Sequence, residues 1–394
     1  MKILVITPYI PWPLHGGSIV RIFNLSRELS RLGHDMHLLA GRYSQQKHEQ
    51  PLEEVFTHIH YYNKADASWF SYVKSIFSPK IYPTFKFQSP DFYEKLHGIT
   101  QKESFDAVLV IFAIIADLLP SSFHENFPVI LDQHEFEELI YKDYLKKGSL
   151  LEKGVALLNL MKIKSFYRRV FSKVDMVLSV SPQEVALTKK YTSPSTRVIC
   201  VPNGVNEGFL VEPTKSPKEN IILFCGNLAV RRNIDAVMWF AHKIFPAIRA
   251  QVPHAQFYVV GSWPSPELEP LKSVEGVNII GQVDDIKKYY AMGKVFVMPY
   301  YFGAGTKLKT FEAMAMGLPI VSTSLGCRGV DVVNGEHVVI ADSPEEFATS
   351  VVTVLTDGDI AYNLAKKSQE LVVKKYIWST IAQRLADQLV FQKS

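Results

Sequence analysis

The chain has 394 residues, 47% of them hydrophobic and 21% charged, with 43 Lys and Arg against 39 Asp and Glu for a formal net charge of +4. At roughly 100–200 residues per domain this is material for two or three domains of ordinary globular composition. It excludes a disordered chain, a collagen-like fibre and a small disulfide scaffold, and so mild a charge gives no argument for a nucleic-acid partner.

The run Met1–Thr7 is too short for the apolar core of a signal peptide and meets Pro8, Pro11 and Pro13. It therefore reads as a first strand over 2–7. Short apolar runs predict further strands at 36–39, 58–61, 107–111, 129–131, 176–180 and 198–201. Ile22, Leu25, Leu29 and Leu32 between the first two carry a helical period. The longest apolar run, 107–116, closes at Asp117. It is about half of what a membrane span needs, so it reads as a buried strand and its flank. Segment 69–92 is irregular and rich in aromatics, which fits core plus loop or a lipid or glycan groove.

Stretch 206–220 is polar, holds two prolines and has no period, which predicts an interdomain linker. Strands are then expected at 221–224, 256–260, 277–280, 295–298, 320–322 and 338–340, with Phe240, Ile244 and Ile248 marking a helix between. Apolar strands alternating with helices indicate two doubly wound parallel sheets. In such sheets ligands bind at the carboxyl ends of strands, and two facing halves make a cleft. Cys200, Cys225 and Cys327 stand far apart with no metal-binding spacing, which suits a reducing cytoplasm.

Several strand ends carry candidate chemistry. Gly16-Gly17 follow the first strand and put backbone amides at its carboxyl end, although taken alone the pair fits a simple tight turn better. Asp132-Gln133-His134-Glu135 end another strand, and His134 there can accept from or orient a substrate hydroxyl, or be structural. Cys225-Gly226-Asn227 open the second half, with Arg231-Arg232-Asn233 beyond; arginines after a strand–Gly turn fit either a diphosphate or a solvated helix start.

The sharpest block is 295–321, VFVMPYYFGAGTKLKTFEAMAMGLPIV. A strand ends at Pro299, a loop carries Gly303, Ala304, Gly305 and Thr306, and a helix starts near Lys307 and stops at Gly317. Free amides and the helix dipole make an anion site, Lys307 and Lys309 add charge, and Glu312 can accept from sugar hydroxyls. The glycines do not fit the P-loop pattern, and no GxGxxG follows the first strand, so neither a P-loop nor a nicotinamide site is indicated. Asp357-Gly358-Asp359 imitates a DxD metal motif but falls in a late turn between helices.

Together these residues resemble glycosyltransferase family 4, across essentially the whole chain. The carrying motifs are Gly16-Gly17, 132–135, Val201-Pro202-Asn203-Gly204-Val205, Phe224-Cys225-Gly226 and the block 312–321, EAMAMGLPIV. The resemblance implies an α/β chain of GT-B fold, two doubly wound Rossmann-like domains facing across a cleft. The expected division is an acceptor domain over 1–205, a nucleotide-sugar domain over 206–375, and a C-terminal helix over 376–394 returning to the first. It also implies a retaining, metal-independent transferase with no cofactor, moving sugar from a nucleotide-diphosphate donor to a glycan, lipid-linked or small-molecule acceptor in cell-surface polysaccharide or glycoconjugate synthesis. By the same resemblance Glu312 meets the ribose, Val283 lies near the base, Lys307, Lys309 and the amides of Gly305 and Thr306 meet the diphosphate, and Gly226 and Gly303 are further donor-binding positions. Arg231 or Arg232 stands for the family's basic pair, Gly16 and Gly17 approach the diphosphate and sugar, and His134 sits near the reacting sugar. His134, Lys309 and Arg231 are thus the expected catalytic groups. One departure is Ala304, where the family usually places a first glutamate; a branch reading Gly-x-Gly-x-Lys/Arg-x-Lys matches instead. Alternatives are a GT-B-like epimerase or a degenerate nucleotide-sugar-binding protein.

The charge is unevenly placed. Segment 141–173 holds nine Lys and Arg against Asp143 and Glu152, a net +7, so the rest of the chain carries −3. Leu151, Val155 and Leu158, then Ile163, Phe166, Val170 and Val174, add apolar helical stripes. This fits a solvated basic face, or docking on an anionic membrane from the cytoplasmic side.

Overall fold

A computed structural model describes residues 1–14, 16–42, 50–65, 77–120, 122–215, 219–303 and 305–389. Ala304 and the first part of the aromatic segment, 69–76, lie outside the described residues. The chain divides into two compact units, Met1–Pro202 with Ile381 onward, and Asn203–Thr380.

The first unit is a parallel sheet of β1 (Lys2–Thr7), β2 (Asp35–Arg42), β3 (His58–Asn63), β4 (Ala107–Ile111), β5 (Val129–Gln133), β6 (Met176–Ser179) and β7 (Arg197–Cys200). Their spatial order is β3-β2-β1-β4-β5-β6-β7. The second holds β8 (Ile221–Cys225), β9 (Gln256–Val260), β10 (Val277–Gly281), β11 (Val295–Met298), β12 (Ile320–Ser322) and β13 (Val339–Ile340), in order β10-β9-β8-β11-β12-β13. Every strand expected from the sequence is present, with ends shifted by no more than three residues. The central strands β4, β8 and β11 are buried throughout, because helices cover both faces of a parallel sheet and leave no polar side.

Both sheets reverse their winding once. In the first, β1 has β2 on one side and β4 on the other; in the second, β8 has β9 and β11. The crevice outside the strand ends at such a reversal is where doubly wound sheets hold ligands.

Three expectations need correction. Leu32 is not on the core face of helix Gly17–Arg31; it is the exposed cap residue, while Ile22, Leu25 and Leu29 are buried. Phe240, Ile244 and Ile248 are all buried, but on two pieces, a π-turn Phe240–Ile244 and helix Phe245–Gln251. Pro246 has no N–H to donate, and the hydrogen-bond register shifts just before it. The polar stretch expected to link the domains belongs to the second unit where it is described. Val211 donates its N–H to the Ala315 carbonyl at 3.1 Å, and Lys215 pairs with Asp359 at 2.6 Å. The divisions fall at Pro202/Asn203 and Thr380/Ile381, the latter inside helix Trp378–Ala386, a few residues from the expected 205/206 and 375/376. Among the described residues no helix is long and apolar enough to cross a membrane.

Candidate active site

In the second unit the ends of the paired strands β8 and β11 converge. Gly226 follows one and Tyr300 the other. Helix Leu308–Ala315 brings Lys309 over both. The Lys309 ammonium donates to the Tyr300 hydroxyl at 2.9 Å and lies 5.1 Å above the Phe224 ring. The Tyr300 hydroxyl donates to Asn233 Oδ1 at 2.9 Å, and Asn233 Nδ2 donates to the Asn227 carbonyl at 2.7 Å. A side chain on Gly226 would collide with the Lys309 ammonium, so glycine is what lets that charge settle on the strand end.

The loop before the helix is held by Gly303 and Gly305, both left-handed with φ of 108° and 75°. Gly303 backs onto Arg232, whose Cδ would lie 3.1 Å from a Cβ placed there. Burial pushes the Lys309 amine down to about 8, and the nearby Arg232 charge adds to that, while Cys225 and Glu312 oppose it. Among the described residues no carboxylate is clamped between these two cations, an arrangement that can take an anion. Lys307 caps the helix, is buried, and donates to the Gly305 carbonyl at 2.8 Å. Thr306 is half-buried between them. Glu312 Oε2 accepts from the Tyr290 hydroxyl at 2.8 Å; burial raises its carboxyl, with Tyr290 and Lys309 opposing.

In the first unit Gly16 caps helix Gly17–Arg31 in extended backbone, and its carbonyl accepts from the Val20 N–H at 2.9 Å. Among the described residues beyond its chain neighbours, no atom lies within 4 Å of where a Gly16 Cβ would stand. His134 follows β5. Its Nε2 is 3.0 Å from Asp132 Oδ2, its ring meets Phe112 edge-on at 4.6 Å, and its Nδ1 is buried without a partner among the described residues. Asp132 also accepts from Arg21, Nε at 2.9 Å and Nη2 at 2.7 Å. Burial alone would raise the Asp132 carboxyl, but Arg21 and His134 outweigh it and hold it well below the usual carboxylate range. Phe112 carries a φ of 70°, a strained backbone for a bulky residue, at the end of β4 beside this histidine.

Residues 15–209 match the family model described as Glycosyltransferase Family 4, and residues 219–357 that of Glycosyl transferases group 1. The chain belongs to glycosyltransferase family 4. A protein of the cps region of Klebsiella pneumoniae, described as uncharacterized, is 24% identical over 96% of this chain and 98% of its own. A GDP-mannose-dependent alpha-(1-6)-phosphatidylinositol monomannoside mannosyltransferase of Mycobacterium tuberculosis is 26% identical over 57% of this chain and 64% of its own. The solved sucrose-phosphate synthase of Thermosynechococcus elongatus matches with a TM-score of 0.73 at 18% identity, over 98% of both chains. The two parallel-sheet units are those of the GT-B fold.

The glycosyltransferase thus brings Gly226, Arg232, Gly303, Gly305, Lys307, Lys309 and Glu312 to one end of its second sheet, and Gly16, Gly17 and His134 to one end of its first. Arg231 is not with Lys309. It turns outward to Asp235 at 2.7 Å and Glu267 at 2.8 Å, because neighbours on a helix point about 100° apart. Val283 is half-buried against the second core, in the loop after edge strand β10. The Asp357–Asp359 turn is a helix cap: Asp357 Oδ1 accepts from the Asp359 and Ile360 N–H groups. Sequence reading missed Arg21, Tyr290 and Tyr300. Tyr300 had a signal, its place just past a strand end; a lone arginine on an amphipathic helix gives none.

Proposed function

We propose that this glycosyltransferase moves a sugar from a nucleoside-diphosphate donor to a glycan or lipid-linked acceptor, with retention of anomeric configuration, in the synthesis of a surface polysaccharide or glycoconjugate. The observation that carries the reading is the Lys309–Arg232 cation pair at the β8/β11 reversal, beside Gly303 and Gly305 in left-handed backbone. The location of the Klebsiella relative in a cps region and the GDP-mannose dependence of the mycobacterial one support it.

Cleavage of the anomeric C–O bond puts charge on the departing diphosphate. Lys309, Arg232 and the amides of Gly305 and Thr306 meet that charge as it forms. Glu312, braced by Tyr290, accepts from the ribose hydroxyls. In the first unit, Asp132 holds His134 by Nε2 and leaves Nδ1 for a hydroxyl of the transferring sugar. A phosphate oxygen takes the acceptor proton on the departing face, so no protein nucleophile is required.

The acceptor side of the proposal includes an anionic membrane. Helix Leu150–Phe171 buries Ile163, Phe166 and Val170 on one side. On the opposite side Leu150, Leu151, Leu157 and Met161 are exposed, Leu150 at 90% and Met161 at 76%. Lys153 and Lys164 flank that apolar face on one side and Lys162 on the other. An apolar strip edged by cations fits the headgroup boundary of an anionic leaflet. The test of the reaction is incubation of the full chain with a panel of nucleotide sugars and a lipid-linked glycan extract. Sugar transfer with the donor's anomeric configuration in the product is expected; epimerisation or donor hydrolysis without transfer overturns the reading.

A further inference from the structure

At the opposite end of the first sheet from His134, three ligand-type side chains meet. His37 of β2 and His58 of β3 are register partners, with ring centroids 4.7 Å apart. Glu103 caps the C-terminal end of helix Pro90–Lys102. One nitrogen from each histidine and one Glu103 oxygen all lie within 4.8 Å of one another. This is the one such group among the described residues.

His37 carries the argument. It is completely buried, and its Nδ1 has no hydrogen-bond partner among the described residues. The other nitrogen, Nε2, is 3.2 Å from Asp35 Oδ2, and Asp35 Oδ1 in turn accepts from the Thr57 hydroxyl at 2.7 Å. Donation from Nε2 to a carboxylate fixes the proton there and leaves the Nδ1 lone pair pointing into the cluster. Metal-ligating histidines are held in just this way. Nδ1 stands 3.5 Å from Glu103 Oε2. Two ligand atoms on one tetrahedral zinc, each about 2.0–2.1 Å from the metal, stand roughly 3.3 Å apart. The Phe105 ring packs on His37 at 5.2 Å and limits its rotation.

We propose that His37, His58 and Glu103 form a binding site for a divalent transition metal of the zinc class, with water completing the coordination. Two imidazoles and one carboxylate are a donor set that zinc accepts and that calcium and magnesium do not favour. The metal would tie edge strand β3 to β2 and to the end of helix Pro90–Lys102. Lys2 competes for the same carboxylate, its ammonium donating to Glu103 Oε2 at 2.9 Å. The site is distinct from the transfer chemistry, since His37 and Lys2 lie at the amino ends of their strands.

The full chain, stripped with chelator, is titrated with Zn²⁺ by calorimetry and with Co²⁺ by its visible absorption. One saturable site per chain with micromolar or tighter dissociation constant is expected, with intensified tetrahedral-type Co²⁺ bands. His58→Ala, at an exposed position, weakens binding at least tenfold while the thermal transition of the metal-free chain is kept. Lys2→Met tightens binding by freeing the carboxylate. Absence of saturable Zn²⁺ binding in both the wild type and Lys2→Met, or wild-type affinity retained in His58→Ala, overturns the proposal.

Discussion

Gly226 lies directly beneath the Lys309 ammonium, with no room between them for a side chain. The ammonium is the flexible end of its residue, so Gly226→Ala displaces it at little cost to the fold. The displaced charge no longer meets the diphosphate. Transfer is expected to fall by about 10²-fold, the scale of losing one positioned donor, with the thermal midpoint moved only a few degrees. Steady-state kinetics beside a melting curve separate the two effects, and wild-type activity in this variant would mean Lys309 acts from elsewhere.

Donor affinity should depend on pH through the same amine. With its pKa pushed down to about 8, Lys309 is charged in the free enzyme below that pH and loses its charge above it. A bound diphosphate favours the charged form, so binding takes up a proton above about pH 8 and affinity weakens by up to tenfold per pH unit there. Lys309→Arg keeps its charge and flattens the profile. Calorimetry in buffers of different ionisation enthalpy measures the uptake directly; none at pH 9 would contradict the assignment.

Asp132 and His134 should separate stability from chemistry. Asp132→Asn leaves Arg21 buried against a neutral partner, a change of the kind that costs about 3–5 kcal/mol. His134→Ala removes a side chain at the edge of the core and should cost far less, yet abolish most transfer. Urea unfolding and turnover of the two variants check this. Equal destabilisation of both would make His134 a structural residue.

A buried acid gives a pH signature in stability. Burial raises the Glu137 carboxyl to about 7 against an ordinary 4.5, with the Tyr167 hydroxyl bond opposing. Between those values the folded chain holds a proton that the unfolded chain has released, so stability falls as pH rises through that window. Glu137→Gln should remove this slope, about 1.4 kcal/mol per pH unit within the window. Melting curves from pH 4.5 to 7.5 that keep the same slope in the variant would count against it.

The exposed strip of helix Leu150–Phe171 predicts salt-sensitive binding to vesicles containing anionic lipid. Leu151→Glu with Met161→Glu should abolish it with the fold intact, because both side chains are already in solvent. Cosedimentation reads this, and wild-type binding to purely zwitterionic vesicles of equal strength would contradict the electrostatic part.

The sheets were legible because strands buried on both faces must be apolar along their length, as in Ala107–Ile111 and Val295–Met298. The glycine loop and Lys309 were legible because left-handed backbone and a charge at a helix start leave a local pattern. Arg21 was not, since its partner Asp132 is 111 positions away and nothing local marks it for burial. The choice between Arg231 and Arg232 was not either, because it rests on helix phase and on Asp235 and Glu267 drawing the first arginine outward. The His37–His58 pair went unread for a like reason. Strand register, not sequence spacing, sets them side by side.

The most direct test of the donor site is calorimetric titration of the full chain and of Lys309→Ala with nucleoside diphosphates and their sugars. The account predicts saturable binding of at least one donor to the wild type, weakened tenfold or more in the variant. Equal affinity in both, or no binding of any donor by a folded wild-type chain, would contradict it.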